Sequence, residues 1–75
     1  MRWVVTLTGQ DTGREYVYHV ASLREWDEER VLLSAVAEHG RMILLGAVAE
    51  CVEPSGTVTK VTPPGELAQT ASRVL

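Results

Sequence analysis

Hydrophobic and polar residues alternate from the start of the chain. Over 2–8, Trp3, Val5 and Leu7 fall on one side; Arg2, Val4, Thr6 and Thr8 fall on the other. That period of two in β-favouring residues predicts a strand. GQDTG, at 9–13, has a glycine at each end and predicts a turn. Alternation resumes over 14–21, with Tyr16, Tyr18 and Val20 on one face and Glu15, Val17, His19 and Ala21 on the other. Two such runs around a short glycine-bearing loop predict a β-hairpin.

The period then lengthens. SLRE, at 22–25, fits a capping box, with the Ser22 hydroxyl at the N-cap and Glu25 reaching back. Glu25, Asp27, Glu28 and Glu29 fill the turns where the helix dipole favours anions. Trp26, Leu32, Leu33, Val36 and Ala37 form one stripe at about 100° per residue. Gly40 stands where a C-terminal stop is expected. The pattern predicts a helix over 23–39.

RMILLGAVAECVE, at 41–53, is the most apolar stretch and is apolar on both faces over 42–51. This predicts a central, doubly covered strand, with Gly46, Ala47 and Ala49 leaving room for the helix and Cys51 buried as a small hydrophobe. EPSG predicts a turn at 53–56, TVTKVT an edge strand at 57–62 containing Lys60, and PPG a break at 63–65. Leu67, Ala71, Val74 and Leu75 recur at helical spacing, so 66–75 is expected to be a short C-terminal helix or a flexible tail. The expected fold is a single α+β domain over 1–75. It is a two-layer sandwich in ββαββ order, with one helix on a mainly antiparallel four-stranded sheet.

Composition narrows the function. The 75 residues carry a net charge of −3, against the basic field of a dedicated nucleic-acid binder. One cysteine allows no internal disulfide, and the opening residues lack the apolar core of a signal peptide, so a cytoplasmic protein is expected. The longest apolar run is too short to span a membrane as a helix. No spacing of His19, His39 and Cys51 matches a metal site or a nucleophile with its base, so neither a cofactor nor catalysis is expected. His39 is expected to be exposed at the helix end.

Two surfaces remain as candidate partner-binding groups. Glu25, Asp27, Glu28 and Glu29 surround Trp26 in an acidic block suited to a protein partner with a basic surface. Tyr16 and Tyr18 share a strand face that the sequence leaves open to either side: turned to solvent it suits an interface, turned inward it packs in the sheet with the hydroxyls at the rim. With Arg14 they also offer a base-stacking platform for single-stranded nucleic acid. The thin core and apolar tail offer a third reading, a homo-oligomer joined through a sheet edge or the C-terminal segment.

Thr6, Leu7, Thr8 and Gly9, within MRWVVTLTG, resemble the opening of ubiquitin-like β-grasp proteins. The resemblance implies a strand–strand–helix–strand order. The tail ASRVL has no Gly-Gly, so conjugation is not implied. In size, charge and layout the chain is also similar to small phage and mobile-element proteins, including anti-CRISPR inhibitors. That likeness implies a non-enzymatic protein that blocks the surface of a host machine.

Overall fold

A computed structural model describes residues 1–62 and 66–75, with 66–70 as backbone alone. The elements run β1 (Arg2–Gly9), β2 (Glu15–Ala21), α1 (Glu28–Leu44), β3 (Val52–Thr62) and β4 (Glu66–Val74). The strands form one antiparallel sheet in the order β2-β1-β3-β4, with the helix on one face. The α+β two-layer sandwich and the ββαββ order both hold.

The hairpin follows its alternation. Trp3 pairs with Val20, Val5 with Tyr18 and Leu7 with Tyr16, all on the helix side. These strands join Val52 and Val58 of β3 and Val31, Leu32 and Ala35 of α1 in the core. Val4, Thr6, Val17, His19, Thr57 and Thr59 lie on the opposite sheet face.

The helix lies about five residues later than the capping box predicts. Ser22 does not cap it, because its hydroxyl accepts the Trp3 indole N–H at 2.7 Å. Asp27 caps instead, accepting from the Arg30 N–H at 2.9 Å. Gly40 does not stop it either; that glycine lies inside α1 without a positive φ. The stop is Gly46, at φ 78°. There the Gly46 N–H reaches the Ile43 carbonyl at 3.0 Å and the Ala47 N–H reaches the Met42 carbonyl at 2.9 Å. This paired closure satisfies two otherwise orphaned carbonyls and suits a residue without a side chain.

The expected strand over 42–51 is therefore absent. Its first part is the end of α1, and the rest is the connection to β3. Gly46, Ala47, Ala49 and Cys51 are exposed rather than packed under the helix. The turn expected at 53–56 lies within β3, which takes the third-strand position. Between Leu7/Gly56 and Gly9/Val52 the register slips, so Glu53, Pro54 and Ser55 face Thr8 alone. Pro54, which has no N–H to donate, occupies this bulge. β3 is interior, not an edge, and Lys60 lays its ammonium 5.9 Å from the Trp3 ring centre.

The expected C-terminal helix is replaced by β4, an edge strand paired to β3 from Ser55/Val74 to Thr62/Glu66. Its open ladder partner outweighs the helical spacing of a segment too short to hold a helix alone. The expected chain break at 63–65 lies outside the described residues. Among the described residues, no helix is long and apolar enough to cross a membrane.

Candidate protein-binding surface

The sequence-derived candidates separate into two places. Tyr16 and Tyr18 project from β2 toward the helix side, and both hydroxyls are engaged. Tyr16 donates to the Glu50 carboxylate at 2.8 Å, and its ring meets His39 edge-on at 4.8 Å between centres. The Tyr18 hydroxyl lies 2.5 Å from His39 Nδ1.

His39 is not an exposed helix-end residue; it is 1% exposed. Its Nε2 lies 2.7 Å from the Glu50 carbonyl. A carbonyl only accepts, so Nε2–H donates to it; in the neutral ring Nδ1 then accepts a hydrogen bond from the Tyr18 hydroxyl. Both ring nitrogens are thus spent, and neither is left for the Cys51 thiol.

The Glu50 carboxylate is the hub of this corner. It accepts from the backbone N–H groups of Asp11 and Thr12, both at 3.1 Å, from Thr12 Oγ1 at 2.6 Å, and from Tyr16. The Thr12 hydroxyl above all, then the Tyr16 hydroxyl and the two backbone donors, hold its pKa down at about 2 against partial burial. The same bond to Glu50 is the main cause of the raised Tyr16 pKa, while burial, then the Glu38 charge, raises that of Tyr18. Gly9 makes the approach feasible, because a Cβ there would collide with the Glu50 carboxylate. An open cleft of about 470 Å³ beside this corner is lined by Asp11, Arg14, Tyr16 and the 47–50 connection. The tyrosine hydroxyls bind the hairpin to the helix end.

The acidic block starts before the helix and is only partly free. Asp27 is the cap, and Glu28 faces Arg73 of β4 at 3.5 Å. Glu25 lies in the preceding turn, and both Glu25 and Glu29 are exposed. Arg30 covers the Trp26 ring at 4.7 Å.

A third feature was hidden by the expected helix phase. Val31, Leu32, Ala35 and His39 face the core. Leu33 and Ala37, placed in the core stripe by sequence, are exposed. Leu33, Ala37, Gly40 and Leu44 recur at i, i+4, i+7 and i+11, which aligns them along the side of α1 away from the sheet. Leu33 is 56% exposed, Leu44 88% and the adjoining Leu45 74%. The signal was present in the sequence, but it reads as a solvent ridge only once α1 is known to continue through Gly40. No protein-family model, curated protein or solved structure matches the chain.

Proposed function

We propose that this protein is a non-enzymatic protein-binding module that docks by the outer face of α1. The ridge of Leu33, Ala37 and Leu44, with Leu45 adjoining it, carries this reading, since it is apolar and exposed and its helical residues align opposite the core. Anchors at these spacings suit a partner's apolar groove. The helix of 17 residues spans about 25 Å. Its acidic start, with Glu25 and Glu29 free, would lie at the rim of such a contact and favour a partner with basic groups there. The narrower reading, a phage- or mobile-element-type inhibitor that blocks a basic host surface, is supported by that acidic start.

Affinity capture from host lysate tests the module. The wild type should retain a partner that Leu33→Glu with Leu44→Glu releases, while the variant's circular dichroism stays unchanged. Reversal of Glu25 and Glu29 to Lys should slow association and flatten its salt dependence. A partner held equally by the ridge variant would overturn the proposed docking face.

A further inference from the structure

The β2 edge carries a second contact, independent of the helix ridge. Hydrogen-bonded pairs alternate along an antiparallel ladder. At one end of β1–β2 the Ser22 N–H bonds the Met1 carbonyl at 2.8 Å; at the other the Gly9 N–H bonds the Arg14 carbonyl at 2.8 Å. With the register of Trp3/Val20, Val5/Tyr18 and Leu7/Tyr16, these ends fix the parity. Tyr16, Tyr18 and Val20 turn their main-chain groups toward β1. Glu15, Val17, His19 and Ala21 turn theirs outward, and no strand among the described residues lies beyond β2.

Of the usual edge guards this strand carries only the charge of Glu15. It has no proline, no lysine and no bulge over its seven residues. Val17, the third of the seven, is 54% exposed. The other edge, β4, is broken by a register slip opposite Lys60/Val61.

We propose that a second copy of this chain pairs with β2, antiparallel, about a two-fold axis through Val17. That register puts Val17 opposite itself and Glu15 opposite His19 of the second copy, twice by symmetry. All three residues are those with outward main-chain groups, so each of these pairs exchanges both of its backbone bonds. A carboxylate then meets a ring that donates, on the sheet face away from the helix. On the helix side, Tyr16 of one copy lies opposite Tyr18 of the other. The register one step along would set Glu15 against Ala21 and lose this complementarity. The two sheets become one continuous sheet of both copies.

Sedimentation across micromolar to millimolar concentration tests the proposal. The wild type should dimerise. Val17→Pro removes an outward donor while sparing the β1 ladder, and should leave a folded monomer by circular dichroism. His19→Glu sets like charges opposite each other and should weaken the dimer by about tenfold or more. Adding Glu15→Arg to His19→Glu should restore it, which a merely misfolded variant would not do. In a Cys51→Ser background, Val17→Cys should form an interchain disulfide under mild oxidation, since a bonded pair places the Cα atoms about 5.5 Å apart. Leu44→Glu should leave the dimer intact. A wild type monomeric at millimolar concentration overturns the proposal. So does a dimer indifferent to His19→Glu and to the charge swap, or one lost only in Leu44→Glu.

Discussion

The two ends of α1 use their side chains in opposite ways. At the N-terminal end, polar groups are committed to structure: Asp27 caps and Glu28 pairs with Arg73. At the C-terminal end the buried partner is a histidine, while leucines face solvent. A polar side chain that satisfies every donor and acceptor can be core, and an apolar side chain on the wrong side of a helix cannot. Charge and hydropathy along the chain therefore mislead about which end is surface. The sequence places the partner contact at the acidic end and the core at the apolar end. The fold puts the largest exposed apolar groups at the apolar end instead.

Substitutions at matched leucines give the widest separation. Leu32 is fully buried, so Leu32→Ala should cost about 3 kcal/mol in denaturant unfolding. His39→Ala should cost a similar amount. It removes a buried ring and strips the Tyr18 hydroxyl and the Glu50 carbonyl of their partner. If His39→Ala melts like the wild type, the C-terminal end does not rest on this ring.

Glu50→Gln probes the same corner through pH. The carboxylate titrates at about 2 in the fold against an ordinary 4.5. Its contribution is present above the ordinary value and is lost as pH falls through about 2. Glu50→Gln should thus melt lower than the wild type at neutral pH, with the gap closing on acidification below 4.5. It should also let the Tyr16 phenol ionise at lower pH in an ultraviolet titration, because Glu50 is the main cause of its raised value. A gap constant across that range would show that the charge does not hold the hairpin loop.

How far the sequence could be read depends on the distance over which each decision was made. The hairpin was legible as two alternating strands and a turn, because those signals are local; which face of β2 meets the helix was not, because that depends on the register against β1. The helix was legible as an element but not in its limits. Ser22 has the chemistry of a cap, and only the approach of Trp3, across the hairpin, takes its hydroxyl away. Gly40 has the look of a stop, and only the closure at Gly46 shows otherwise. The identity of β4 depended on a neighbouring strand outweighing weak local spacing. The Tyr16–Glu50–Thr12 and Tyr18–His39 links join residues far apart in the chain, and no local pattern announces them.

The glycines test the helix limits directly. Gly40 has open space where a Cβ would go, so Gly40→Ala should stabilise by about 1 kcal/mol. Gly46→Ala should destabilise by about 1 kcal/mol, since its φ of 78° strains any side chain. Asp27→Ala should cost about 1 kcal/mol through loss of the cap. Equal effects at both glycines would return the helix end to Gly40.

The smallest effect is the most diagnostic. Leu44→Ala should change stability by less than about 0.5 kcal/mol, because the side chain is 88% exposed and loses almost no burial. If 42–51 were a central strand, the same change would empty a core position and cost about 2–5 kcal/mol. The substitution thus distinguishes the two placements of the most apolar stretch without reference to any partner. A near-neutral result leaves an exposed leucine that folding does not require. Loss of partner capture in Leu33→Glu with Leu44→Glu would then reflect the contact itself, not a weakened fold.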